Sequence, residues 1–440
     1  MVTVNNDFNT KNIENSTNYK GFFIYYLILL LILVFRTSDA EPDILYRFVY
    51  LLAFFIPLLI KFRTFYPACL ICFTTIGLNG FAYSVFPYMM YIYLIISLFG
   101  IFISRNNNFN INPLFLFVFG YILIVNYFNS FTIPNIVYSL GIIICLGFYL
   151  NKKSYKTLFF CFCIISLFLS LIYLLNYETF VHEYGPGDEE LERAGWTDPN
   201  YFSCIIGMGV VSSFYLLISS KKSKMIEKTF WIITICLSIL VQILMASRGG
   251  VIAVSSSIIF LILTSNKNWY LKILIIALSG LYIYWIYNNG YFELLEYRFE
   301  NDSGGGSNRT FIWEERLNEF NNFNFLEFLF GVGYERSYTL GSIFLGSGFH
   351  NDFIAILCQY GILGLFIFIY ILVLPIIKCH QKLRFGIIGL IIYLTATCLT
   401  LEPITSGRLV YFGFYFMIYI FAIQKTSIIS NNTTISYENQ

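Results

Sequence analysis

The chain has 440 residues, of which 58% are hydrophobic, 20% aromatic and 12% charged, and its mean hydropathy is +0.70. Those proportions exclude a soluble globular domain and indicate a polytopic membrane protein. The formal net charge of +2 singles out no partner, nucleic acid included, and the absence of strand-like alternation excludes a transmembrane barrel.

Residues 1–20 are polar and Asn-rich and read as a cytoplasmic tail. The apolar stretch Gly21–Phe35 is followed by Thr37-Ser38-Asp39-Ala40, loosely like a signal-peptidase site. The segment before it is long, and Lys11 and Lys20 are offset by Asp7 and Glu14, so a retained first span is the better reading. About 20 helical residues cross a hydrocarbon core of about 30 Å. On that measure fourteen candidate spans follow: 21–35, 44–60, 67–86, 88–103, 114–128, 133–150, 158–176, 201–219, 229–247, 250–264, 272–289, 352–377, 386–401 and 409–424. Several are short, so the prediction is 12 to 14 transmembrane helices within residues 21–424, ahead of a polar cytoplasmic tail at 425–440.

Basic connections at 151–157, 220–228 and 378–385 belong in the cytoplasm by the positive-inside rule, and both termini with them. Two substantial outer segments remain, 177–200 and 290–351. On this topology all fifteen lysines lie at cytoplasmic ends. Nine of the twelve arginines (Arg36, Arg47, Arg193, Arg248, Arg298, Arg309, Arg316, Arg336 and Arg408) lie on the other side. Lys suffices to orient a membrane protein, whereas Arg presents a planar fork of donors that grips phosphate or carboxylate in two places. The sorting points to an outer-face site for an anionic ligand.

The ten cysteines do not form a redox or zinc framework. Cys69 and Cys72 have suitable spacing but lie in an apolar span without a second ligand pair, and neither outer segment contains a cysteine.

Within 290–351, Asp302-Ser303-Gly304-Gly305-Gly306-Ser307-Asn308 reads as a hinge leading into a helix over 309–320. Its spacing puts Ile312, Trp313, Arg316, Leu317 and Phe320 on one broad face, with Arg309 and Arg316 nearly eclipsed. Such a helix is expected to lie along the membrane surface with its guanidiniums at headgroup depth. A turn at Gly331-Val332-Gly333 follows, and His350 opens the next span.

Four outer features converge: the hairpin Ser247-Arg248-Gly249-Gly250, the pair Arg309 and Arg316, His350-Asn351, and Arg193 ahead of Asp198-Pro199-Asn200. Each has a plainer alternative. Arg248 suits an interfacial anchor, Arg309 and Arg316 suit pairing with Glu314, Glu315 and Glu319, Arg193 suits the acidic run at 188–190, and His350 suits a simple helix end. Glu402, just before Pro403 at an outer end, could orient a neighbouring Arg, and nothing in the sequence decides it. There is no Asp-x-Asp pair and no His cluster with ligand spacing, so neither a metal nor another cofactor is predicted.

His350-Asn351, nine residues, Gly361, two residues and Gly364 resembles the pattern of the O-antigen ligase and polymerase superfamily of bacterial membrane glycosyltransferases. The Ser-Arg-Gly hairpin, the Arg309-x3-Trp313 helix with its Gly-Val-Gly turn, and Asp198-Pro199-Asn200 opening a span resemble the same family. The likeness covers roughly 195–370. It implies an all-α, GT-C-like fold with one large extracytoplasmic loop carrying amphipathic helices, in the bacterial inner membrane with the active site facing outward. It further implies transfer of an undecaprenyl-diphosphate-linked glycan to a sugar hydroxyl, without a metal.

The residues are compatible with that chemistry. Guanidiniums stabilise the charge developing on a diphosphate leaving group, and an imidazole, unperturbed near pH ~6.5, can take the proton of the attacking hydroxyl. The expected roles are catalytic for His350 and Arg248, and substrate-binding for Arg309, Arg316, Arg193, Asn351 and Asn200. Abundant Asn, Ile, Phe, Tyr and Lys indicates an AT-rich gene and favours a polymerase of repeat units, for which the resemblance implies a chain-length regulator as a further partner. A ligase moving finished chains to lipid A core is the alternative within the superfamily. A flippase for the same units is the alternative outside it, and the scarcity of charge inside the spans argues against that.

Overall fold

The computed structural model describes residues 155–175, 199–219, 223–265, 267–293, 296, 309–341, 348–379 and 381–402, with 117, 120–122 and 124–125. Among them there is no strand, and the protein is an all-α polytopic membrane protein. The helices are α1 (Tyr155–Leu175), α2 (Pro199–Ser219), α3 (Met225–Leu244), α4 (Arg248–Thr264), α5 (Trp269–Asn288), α6 (Arg309–Asn321), α7 (Phe325–Phe330), α8 (Tyr334–Tyr338), α9 (Asp352–Lys378) and α10 (Gln381–Thr400). Five are long and apolar enough to cross a membrane, namely α2, α3, α5, α9 and α10.

Seven predicted spans, from 158–176 through 272–289 and then 352–377 and 386–401, each coincide with one helix. The differences fall mainly at basic ends. α3 and α10 start earlier than hydropathy indicates, because their first turns contain Lys228 and Arg384, which lower the hydropathy without breaking the helix. The seven other spans lie outside the described residues apart from six positions in 114–128, as do the tails 1–20 and 425–440 and the hinge at 302–308.

α2 is the central helix, packed against α1, α3, α4 and α10. Close approach is possible because its glycines admit neighbouring side chains: Gly207 lies against the ring of Tyr393 and Gly209 against Ser166. Hydrogen bonds between helices fix the register. Tyr393 donates to the Cys204 carbonyl at 2.6 Å, Gln242 to the Ser203 carbonyl at 2.9 Å and Ser166 to the Ile206 carbonyl at 2.7 Å, while Ser166 and Ser238 hydroxyls meet at 2.7 Å. In an apolar surround each such bond contributes on the order of 0.6 kcal/mol, and together they favour one arrangement over sliding alternatives.

α9 is broken rather than continuous. Gly361 has φ +68° and ψ −172°, a conformation open essentially to glycine alone. Gly361 and Gly364 have the spacing of a helix-packing pair, yet Gly361 ends one helical segment and begins another. The break removes the partners of the carbonyls of Cys358, Gln359 and Tyr360, and each finds another donor. Val332 N–H bonds the first at 3.0 Å and Gly333 N–H the second at 2.9 Å. The Tyr121 hydroxyl donates to the third at 2.6 Å and faces the Gly364 N–H, which bridges the interrupted ladder. A Cβ at Gly331 or Gly361 would strike the opposing backbone. The cap formed by α6, α7 and α8 is therefore joined to α9 through the break.

Candidate active site

The turn between α3 and α4 is Met245-Ala246-Ser247, with Ala246 at φ +49°. Ser247 is the N-cap of α4, its hydroxyl accepting from Gly250 N–H at 3.4 Å. Arg248 is thus the first residue of a helix, half-buried, instead of standing at the tip of a loop. The two glycines after it let this helix end press inward. A Cβ at Gly249 would come within 2.6 Å of the Thr400 hydroxyl, and one at Gly250 would overlap Ser203. Asn200, buried in the first turn of α2, lies at the same end of α2 as Ser203.

The last turn of α10 assembles the rest. A helix C-terminus leaves its final carbonyls without intrahelical partners, and three consecutive ones are taken by predicted site residues or their neighbour. Asn351 Nδ2 donates to the Leu399 carbonyl at 3.2 Å, Arg309 Nη1 to the Thr400 carbonyl at 2.8 Å, and Asp352 N–H to the Leu401 carbonyl at 3.1 Å. Arg309 is the first residue of α6 and Arg248 the first of α4, neither helix has an acidic residue in its first turn, and both beginnings touch Thr400. Two helices that each begin with an arginine are therefore tied to one residue, α6 through the Arg309 side chain and α4 through Gly249, an arrangement suited to an anion.

His350 is half-buried between these elements at φ +51°, unusual for a residue with a side chain. Asn351 follows as the N-cap of α9, accepting from Phe353 and Ile354 N–H at 2.9 and 3.2 Å. The preceding Phe349 is held on all sides. Its N–H donates to Glu402 Oε2 at 3.0 Å, and its carbonyl accepts from the Trp313 indole N–H at 2.8 Å. Tyr338 meets its ring edge-on at 5.4 Å, and the Arg316 guanidinium lies over it at 5.2 Å.

Arg316 differs from expectation. Its side chain is 0% exposed, so it is enclosed by protein rather than presented at headgroup depth. Burial pulls its pKa down, opposed by the nearby Glu315, Cys358, Glu319 and Tyr338. The face of α6 holding Ile312, Arg316 and Phe320 packs toward α9 and not onto the membrane surface; Leu317 is on the exposed side. Phe320, Phe349, Ala355 and Cys358 form the small core beneath.

The structure thus brings together Arg248, Arg309, Arg316, His350 and Asn351, with Asn200 at the same end of the bundle. Arg193 lies outside the described residues. Sequence reasoning did not find the carbonyls at the end of α10, the indole of Trp313 or the hydroxyl of Tyr121. Glu402 was noticed as an acid at a span end, but it holds the Phe349 N–H and accepts from Tyr338 at 3.4 Å, roles no spacing rule reveals.

Residues 232–369 match the family described as O-antigen ligase. Over that segment the chain is similar to the O-antigen ligase/polymerase superfamily. The matched segment runs from α3 into α9, so it contains Arg248, Arg309, Arg316 and His350 and stops short of α10. No curated protein matches the chain. That likeness supports a polysaccharide-related role of membrane glycosyltransferase type.

Proposed function

We propose that the protein polymerises undecaprenyl-diphosphate-linked oligosaccharide repeat units into O-antigen or capsular polysaccharide, on the outer face of the bacterial inner membrane. The observation that carries the reading is the convergence on Thr400 of the Arg309 side chain and of Gly249, next to Arg248, while Asn351, next to His350, bonds the neighbouring Leu399 carbonyl. In this mechanism Arg248 and Arg309 face the donor diphosphate, while Arg316 holds the His350 loop from below. The acceptor hydroxyl oxygen attacks the anomeric carbon of the donor and the carbon–oxygen bond to phosphate breaks. Undecaprenyl diphosphate leaves with the bonding electrons, and His350 takes the hydroxyl proton. Direct displacement of this kind inverts the anomeric centre. Fixed donors aimed at the leaving group need no reorganisation as charge develops, which is where this kind of site gains most of its rate.

Composition supports polymerase over ligase, and a chromosomal deletion tests it. Loss of a polymerase leaves lipopolysaccharide or carrier capped with a single repeat unit. A bare core with accumulating lipid-linked polymer would instead identify a ligase.

A further inference from the structure

α7 has a composition unlike that of a solvent-facing helix. Its sequence is Phe325-Leu326-Glu327-Phe328-Leu329-Phe330, and none of its residues is buried. Phe325 is 74% exposed, Leu326 66% and Phe330 41%. Several of its polar groups are paired within the cap. Asn324 Oδ1 accepts from Leu326 and Glu327 N–H at 3.0 Å each, the Asn324 carbonyl accepts from Phe328 N–H, and Glu327 Oε2 accepts from Asn324 N–H. Glu327 also pairs with Arg336 at 2.8 Å, so the one charge of the helix is turned back toward α8. Internal satisfaction of the backbone is the condition for entering an apolar medium.

The depth of α7 follows from helix lengths. Its C-terminal residues Leu329 and Phe330 abut Gly361. From Ile362 to the basic end at Lys378, α9 rises about 25 Å at ~1.5 Å per residue, against a hydrocarbon thickness of about 30 Å. α10 gives the same level independently. A straight α9 of 27 residues would rise about 40 Å and α10, with 20, about 30 Å, yet Asp352 at the start of α9 bonds to Leu401 just beyond the end of α10. The segment before Gly361 must therefore lie strongly tilted, which leaves Gly361 and α7 near the apolar rim of the bilayer on the side of the site.

We propose that α7 is embedded among the acyl chains at the edge of that leaflet and anchors the α6–α8 cap to lipid. The occupant of its apolar face is the bilayer itself. The anchor sets the height of α6, and with it Arg309, relative to the lipid surface. This role stands whether or not the protein is a polymerase.

The test places the photoreactive amino acid p-benzoylphenylalanine at position 325 of the full-length protein in its native membrane, with position 314, exposed on α6, as the control. Illumination and mass spectrometry then identify the adducts. Adducts to phospholipid acyl chains at position 325, at least tenfold more abundant than at position 314, are the expected result. Lipid adducts no more frequent than at position 314, or adducts chiefly to another segment of this chain or to another protein, would overturn the proposal. No glycosyl transfer is measured, so failure here is distinct from failure of the polymerase reading.

Discussion

At the scale of the residue, the site depends on side chains that act through backbone groups. Phe349 contributes no reactive atom, yet its amide and carbonyl fix the peptide that positions His350 at a positive φ, a conformation costing on the order of 1 kcal/mol or more. Trp313 supplies one of those two constraints. Replacing it with Phe keeps the ring packing and removes the indole N–H, leaving a carbonyl without its donor at a cost of about 1–3 kcal/mol. Trp313→Phe should lower kcat for glycosyl transfer about tenfold or more while KM for the donor changes little, because the loop is loosened and the arginines are not. Steady-state kinetics check this split, and a rise in KM with unchanged kcat would show that Trp313 serves donor binding instead. Much of this layer was hidden in the sequence. Arg248, Arg309 and His350 could be proposed from the sequence because arginine and histidine declare their chemistry. The Leu399, Thr400 and Leu401 carbonyls could not be read, since every residue has a carbonyl and only the fold decides which are left open.

At the scale of the element, the decisive feature is the break in α9. The carbonyls freed at Cys358 and Gln359 are the ones that receive Val332 and Gly333, so cap docking and an unbroken α9 are mutually exclusive. Gly361→Ala introduces a Cβ that collides with Leu329 and Phe330 and disfavours the positive φ. The variant should remain in the membrane but release the cap. Limited proteolysis of membranes should then cleave within 309–341 at least tenfold faster than in the wild type, with transfer lost. A wild-type cleavage pattern would show that the cap does not rely on the break. Hydropathy located α9 within a residue at either end, because both ends change polarity abruptly. It could not reveal the break, since glycine at 361 is equally compatible with close helix packing. The amphipathic face of α6 was similarly visible as a pattern and misassigned in destination, because periodicity shows that a face is buried without showing what covers it.

At the scale of the whole molecule, one set of helices forms a frame and another carries the proposed site residues. α2 and its neighbours hold α4 and α10 at fixed height through glycine contacts and interhelical hydrogen bonds. α9 and the α6–α8 cap then close over the shared end, bringing together residues as far apart in sequence as Arg248 and Glu402. The separation of arginine from lysine across the predicted topology marked this end as the place where an anion would bind. In the fold, the Arg309 side chain and Gly249, next to Arg248, converge on Thr400. The most direct measurement is transfer by purified full-length protein in detergent from a polyprenyl-diphosphate-linked repeat unit, comparing the wild type with Arg248→Ala and His350→Ala. Losing a fixed charge-stabilising donor or the proton acceptor should each lower the rate by about 100-fold or more. The account predicts a product ladder from the wild type and none from either variant, with all three proteins eluting as the same species. Ladders of equal length and rate from both variants would contradict it.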